Sequence, residues 1–92
     1  MKKHIEGGIS GRILGHNSLV WIKDLAIKLG LKGAVFTKHD GSIKVMAEGE
    51  EENLREFEEK IKKGNIFSEV ENFYVDWSEP SENLGNFYML DN

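Results

Sequence analysis

Residues 33–48 read "GAVFTKHDGSIKVMAE", and this stretch decides the fold. Asp40-Gly41 lies at its centre and is a strong hairpin signal, because both residue types tolerate a positive φ. The residues before the turn predict a strand over 33–38, and those after it predict another over 42–48. In the second strand Ile43, Val45 and Ala47 fall on one face, which is expected to face the core. Lys44, Met46 and Glu48 fall on the other face, which is expected to face solvent. The stretch therefore predicts an antiparallel pair that is buried on one face.

Amphipathic helices are predicted before and after this hairpin, over residues 18–29 and 50–63. Apolar side chains recur there every three or four residues, which places them on one stripe of a helix. The stripes are Ile22, Leu25, Ala26 and Leu29 in the first helix and Leu54, Phe57 and Ile61 in the second. Asn17 or Ser18 is expected to cap the first helix. A glycine is expected to end each helix, Gly30 and Gly64 respectively.

Further strands are predicted outside the hairpin, over residues 3–13 and 69–77, with a short edge strand at 86–90 after a polar loop over 80–85. The element order is β-α-β-β-α-β. This order predicts an α+β fold of the ferredoxin-like split βαβ type, a sandwich with two helices on one face of an antiparallel sheet. The length of the chain predicts a single domain over residues 1–92.

Composition narrows the classes of protein to consider. The chain has 16 acidic and 12 basic residues and a net charge of -4, which argues against binding nucleic acid. It has no cysteine, so disulfides and thiolate chemistry are excluded. The start of the sequence does not read as a secretory signal, and no apolar run approaches the ~20 residues of a membrane span. We therefore expect a cytoplasmic protein that contacts no membrane.

Residues 11–19, "GRILGHNSL", place two glycines and several small polar residues just before the first helix. Backbone N–H groups at such a position favour an anion, so this stretch predicts a phosphate-binding loop. The stretch ends in an apolar residue, where a phosphate would favour a positive charge. The candidate anion-binding residues are Gly15, His16, Asn17, Ser18 and Leu19.

Three separated motifs resemble the acylphosphatase family, and their spacing matches without a gap over residues 11–49. "GRILGHNSL" is similar to the family's Gly-x-Val-Gln-Gly-Val-x-Phe-Arg loop, and "LGLKGAVFT" to its Leu-Gly-Leu-x-Gly-x-Val-x-Asn. "DGSIKVMAEG" is similar to its Asp-Gly-Ser-Val-Glu-Val-x-Ala-Glu-Gly. The resemblance implies hydrolysis of carboxyl-phosphate anhydrides. It also implies that the loop and its closing arginine bind the phosphate, while the asparagine on the second strand orients the attacking water.

The positions that the resemblance marks as catalytic are occupied by other residues. Leu19 stands at the position of the arginine, and Thr37 stands at that of the asparagine. The chain holds two arginines, Arg12 and Arg55, and neither lies close enough for a small shift of alignment to restore it to the loop end. Removing one preorganised donor typically costs ~10²–10³ in rate. We therefore expect a degenerate active site with little or no acylphosphatase activity.

Other functions remain open at this point. An enzyme with a rebuilt site would use His16, Asn17 and Thr37 on an acyl phosphate or a related small phosphorylated compound. A binding module would take a weak anion at the loop or a protein partner on the open sheet face around Phe36, Met46 and Tyr74.

Several other chemistries lack support in the sequence. The histidines, His4, His16 and His39, do not have metal-ligand spacing, so no metal site is expected, and no cofactor is implied. No serine lies in a nucleophile-elbow context. The aromatic residues of the last third do not form the Arg/Lys-Gly-Phe-x-Phe pattern of an RNA-recognition sheet, and most of them are expected in the core.

Overall fold

A computed structural model describes residues 1–12, 14–65, 69–80 and 84–90 of the chain. Its elements follow the predicted order. The strands are β1 (Lys2–Arg12), β2 (Lys32–Thr37), β3 (Ile43–Glu50), β4 (Glu69–Ser78) and β5 (Tyr88–Leu90), and the helices are α1 (His16–Lys28) and α2 (Glu51–Lys63). Ile13, Phe67 and positions 81–83 of the predicted polar loop lie outside the described residues. No helix within the described ranges is long and apolar enough to span a membrane.

The strands form a sheet in the order β4-β1-β3-β2-β5. Neighbours among the first four strands are antiparallel, whereas β5 runs parallel to β2. The ferredoxin-like α+β prediction is confirmed, but the expectation of a purely antiparallel sheet is wrong at this edge. The reason is connectivity: β4 ends at the same end of the sheet where β2 begins. A chain that crosses that end therefore starts its last strand in the direction of β2.

The core lies between one face of the sheet and the two helices. Phe57 of α2 meets Phe87 edge-on, with ring centroids 6.2 Å apart. The core takes the predicted inward side chains of the hairpin and most of both helical stripes: Ile43, Val45, Ala47, Ile22, Ala26, Leu54, Phe57 and Ile61. Leu25 and Leu29 are partly buried against it. Helix α1 packs beside β2 and β5, and α2 packs beside β4, β3 and β1.

Of the two ends of α1, only the N-terminal end differs from the expectation. The N-cap is Gly15, so the prediction that Asn17 or Ser18 caps the helix is wrong. The helix starts earlier because the Ser18 hydroxyl turns back and accepts the Gly15 N–H at 3.2 Å, which fixes the first turn. At the other end Gly30 follows the cap residue with φ 69°, as predicted. Gly64 ends α2 in the same way, with φ 72°.

The outer face of the sheet also departs from simple alternation. Glu48 was expected to face solvent, but only 9% of it is exposed, because His4 on the neighbouring strand covers it. Tyr74 lies on this face and is 72% exposed. The prediction of mainly buried aromatics holds for Phe73 and Phe87 and is wrong for Tyr88, whereas Tyr74 is exposed on the open sheet face, where it was expected.

Candidate functional site

The predicted loop and the predicted strand position lie at one end of the sheet. β1 ends at Arg12, the chain passes through the loop, and α1 begins at His16. Thr37 is the last residue of β2, and it pairs with Ile43 at the start of β3. Because β1 and β2 run in the same direction on either side of β3, the loop after β1 and the end of β2 share this end.

The start of α1 is held by hydrogen bonds within the loop. The backbone N–H groups of Ser18 and Leu19 donate to the Gly15 carbonyl oxygen at 3.0 and 3.2 Å. The Gly15 N–H donates to the Ser18 hydroxyl, and Ser18 is fully buried. The side chain of this predicted anion ligand is therefore engaged inside the protein, facing away from solvent.

Leu19 belongs to the core. It is 1% exposed and packs among the buried side chains of the sheet and helices. An apolar side chain at this position continues the stripe of α1 toward its N-terminus, at a spacing of three from Ile22. Position 19 thus contributes apolar burial and presents no polar group to the end of the sheet.

The remaining candidates face solvent. His16, Asn17 and Thr37 are exposed, and Gly15 is half-buried. The first turn of α1 holds no acidic residue, so no charge within that turn offsets the partial positive charge of the helix N-terminus.

A cavity of about 320 Å³ joins the loop to the β2–β3 hairpin. It is lined by Ser10, Gly11, Leu14, Asp40, Gly41 and Ser42. The Asp40 carboxylate accepts hydrogen bonds from the hydroxyl and the backbone N–H of Ser42 at 2.6 and 2.9 Å, and these lower its pKa. The Asp-Gly-Ser sequence belongs to the family pattern as well, so this carboxylate does not set the chain apart.

Neither arginine replaces the expected cation. Arg12 is exposed at the end of β1, opposite Glu69 in the register. Arg55 lies on α2, where it binds Glu51 at 2.8 Å and stacks over Trp77 at 4.8 Å from the ring centroid. The Arg55 hydrogen bond also lowers the pKa of Glu51.

A charged cluster that the sequence analysis did not find lies on the open face of the sheet. His4 Nδ1 is 2.8 Å from Glu48 Oε2, and His4 Nε2 is 3.2 Å from Glu6 Oε2. Lys44 stands 3.4 Å from the other oxygen of Glu6. These contacts, that of His4 first, lower the pKa of Glu6. In the described residues no group of three or more histidine or acidic side chains is arranged to hold a metal ion.

Comparison with known proteins agrees with the motifs. The chain matches the Acylphosphatase family profile over residues 5–89. It belongs to the acylphosphatase family.

Individual relatives support this assignment. An acylphosphatase of Caldanaerobacter subterraneus is 34% identical over 79 residues, which cover 86% of this chain and 88% of the relative. One of Koribacter versatilis is 33% identical over 79 residues, covering 86% of this chain and 72% of the relative. The crystal structure of acylphosphatase from Bacillus subtilis is 30% identical, with a TM-score of 0.88 over 98% of this chain and 99% of that one. The acylphosphatase fold is thus present along nearly the whole chain.

Proposed function

We propose that this chain is an acylphosphatase-family domain that does not hydrolyse acyl phosphates by the family mechanism and that retains weak binding of small anions at residues 15–19. The observation that carries the proposal is the burial of Leu19, which is 1% exposed. The resemblance assigns the phosphate-binding arginine to this position. A leucine that is buried in the core supplies no guanidinium to a bound phosphate.

The loss of charge has a large effect on the expected chemistry. A guanidinium provides a fixed positive charge and planar, paired hydrogen bonds, which suit the oxygens of a phosphoryl group. The second substituted position, that of Thr37, also argues against the family mechanism. Thr37 is exposed, and its hydroxyl donates and accepts through a single oxygen, so it lacks the separate donor and acceptor atoms with which an amide holds a water molecule.

The backbone part of the site supports the second half of the proposal. Helix α1 keeps its N-terminus at the end of the loop, and no acidic residue lies in the first turn. N–H groups and the helix dipole attract anions without any particular side chain. This attraction is expected to be weak, because residues 15–19 include no fixed cation and the N–H groups of Gly15, Ser18 and Leu19 already donate hydrogen bonds within the chain.

The first test is an assay of the pure protein with benzoyl phosphate beside the Bacillus subtilis relative under the same conditions. We expect hydrolysis at least about a hundredfold slower than that of the relative, since each lost donor typically costs ~10²–10³. Turnover comparable to that of the relative would overturn the proposal.

The second test restores the two positions together. We expect Leu19→Arg with Thr37→Asn to raise the rate of benzoyl phosphate hydrolysis above that of the parent protein. The control is Leu19→Gln with Thr37→Asn, which introduces a polar side chain of similar length without the charge. Circular dichroism establishes that both variants are folded. If the two folded variants are equally inactive, the backbone cradle has itself changed.

A rebuilt active site is the alternative function, because His16 and Thr37 both face solvent at the same end of the sheet. Under this alternative, His16 acts with Asn17 and Thr37 on a small phosphorylated compound. His16→Ala would then abolish any residual hydrolysis, whereas under our proposal it leaves the low rate unchanged.

NMR titration with inorganic phosphate distinguishes the anion cradle from a further alternative, a module that binds a protein partner. Shifts confined to residues 15–20 favour the anion cradle, and silence there favours a partner-binding module at the open sheet face.

A further inference from the structure

A second cavity, of about 440 Å³, lies at the opposite end of the sheet from the loop. Lys2 begins β1, Lys32 begins β2 and Glu50 ends β3, and all three line it. The end of α1 contributes Leu29, and the first turn of α2 contributes Asn53. Its volume falls within the range of small-molecule sites. Neither the family loop nor the strand position at Thr37 takes part in it.

The two carboxylates around this cavity already have partners. The Glu48 carboxylate lies 2.8 Å from His4 Nδ1, and it is 9% exposed. The Glu50 carboxylate lies 3.0 Å from the amino group of Met1. A ligand that donates hydrogen bonds would have to compete with these contacts.

Three side-chain donors around the cavity, in contrast, have no partner in the described part of the chain. Among the described residues, the ammonium groups of Lys2 and Lys32 and the side-chain amide of Asn53 form no hydrogen bond or ion pair. The two ammonium groups stand on strands that flank β3, one on each side of it. A bound anion would meet these two positive charges without displacing an existing contact, and the neighbouring carboxylates of Glu48 and Glu50 already contact His4 and the Met1 amine respectively.

The rest of the lining is apolar. Leu29, Pro80 and Leu84 contribute a wall beside the charged rim. A cavity that combines an apolar wall with a few polar groups orients a ligand that has an apolar body and one charged end.

We propose that this cavity binds a small organic anion, a carboxylate or a phosphate attached to an apolar group. Lys2, Lys32 and Asn53 hold the charged end, and the apolar wall covers the body. This site is additional to the anion cradle at residues 15–19 and independent of it. The site requires the apolar body of its ligand, so a free inorganic anion does not satisfy it.

The test is an NMR titration of the intact chain with benzoate, phenyl phosphate and benzyl alcohol, which share a ring and differ in charge. We expect saturable shifts of the amide signals of Lys2, Gly30, Lys32 and Asn53 at millimolar benzoate or phenyl phosphate, and none with benzyl alcohol. Of benzoate and phenyl phosphate, the probe whose shifts saturate at the lower concentration carries the preferred charged group. Shifts that are the same for all three probes, or that are absent from these residues, overturn the proposal.

Variants separate a built site from general attraction to positive charge. Lys2→Gln with Lys32→Gln should weaken benzoate binding by roughly tenfold or more, since hydrogen bonds to charged groups are worth about 1.5–3 kcal/mol. Lys28→Gln is the matched control, because Lys28 is exposed near the end of α1 and does not line the cavity. Equal weakening in the control and the double variant also overturns the proposal. Signals of residues 15–18 report on the other end of the sheet, so failure here leaves the proposed function untouched.

Discussion

A side chain that is 1% exposed cannot reach a ligand in solvent, so the side chain of Leu19 contributes to the core. Its burial extends the apolar stripe of α1 toward the N-terminus of the helix. Its assignment to a lost catalytic position stays a prediction. Glu48 shows the opposite case, since strand alternation predicted exposure and the structure buries it. Its partner His4 is 44 positions away in sequence, and only the register between β1 and β3 brings them together.

The contact of His4 with Glu48 should contribute more to stability than an exposed pair does. We expect Glu48→Gln to lower the free energy of unfolding by about 1–3 kcal/mol, because it removes the charged partner of a buried imidazole. Glu50→Gln is the control: it lies two residues along the same strand face, and its pair with the Met1 amine is exposed. The control should cost about 0–1 kcal/mol. Urea denaturation measures both, and equal losses would contradict the special role of the buried pair.

Individual elements were predicted well where the chain carries local signals. The hairpin over β2 and β3 is confirmed, because a turn sequence and strand alternation act within a few residues. The start of α1 was misplaced, since Gly15 offers no side-chain signal and the hydroxyl that fixes the first turn lies three residues later. The direction of β5 was not predicted either. Pairing of β5 with β2 depends on a connection across the whole sheet, which no local pattern encodes.

Gly33 is required by the pairing of β2 with β3. Its φ is 143°, and a Cβ there would collide with the Met46 carbonyl oxygen on β3. We expect Gly33→Ala to lower the free energy of unfolding by about 1–3 kcal/mol or more, because alanine is strained in this conformation and the neighbouring backbone must shift. Thermal and urea denaturation measure the loss.

Gly8 provides the matched control within the same sheet. It lies in β1, its φ is not positive, and a Cβ there meets no atom within 4 Å. Gly8→Ala should leave stability unchanged or raise it slightly, because alanine restricts the unfolded chain more than glycine does. If both variants lose the same stability, the close approach at Gly33 is not the cause.

At the scale of the whole molecule, the family fold is retained, and it depends on different features from the catalysis that we propose to be lost. The two helices and the five-stranded sheet agree with the acylphosphatase fold, and the superposition on the Bacillus subtilis structure, with a TM-score of 0.88, covers nearly the entire chain. The core depends on summed apolar burial, so it tolerates a leucine where the family pattern has an arginine. Catalysis depends on particular groups at particular positions. The presence of the fold therefore does not by itself establish the chemistry.

Acid should destabilise the whole fold through several carboxyl groups at once. Hydrogen bonds with His4, Ser42 and Arg55 lower the pKa values of Glu6, Asp40 and Glu51 respectively from ordinary values of 4.5, 3.8 and 4.5. Unfolding restores the ordinary values, so the unfolded chain takes up protons first as the pH falls. The stabilisation is fully present above the ordinary values and is lost as the pH falls through the lowered ones.

Urea denaturation between pH 7 and pH 3 measures this dependence. We expect the free energy of unfolding to begin falling near pH 4.5, the ordinary value for Glu6 and Glu51. Glu6→Gln, Asp40→Asn and Glu51→Gln combined should flatten this fall, because the variant has no such protons to take up. Glu59→Gln is the control, since Glu59 is exposed and has no ion pair in the described part of the chain. A triple variant whose stability falls with pH as steeply as that of the control would show that these contacts do not cause the acid sensitivity.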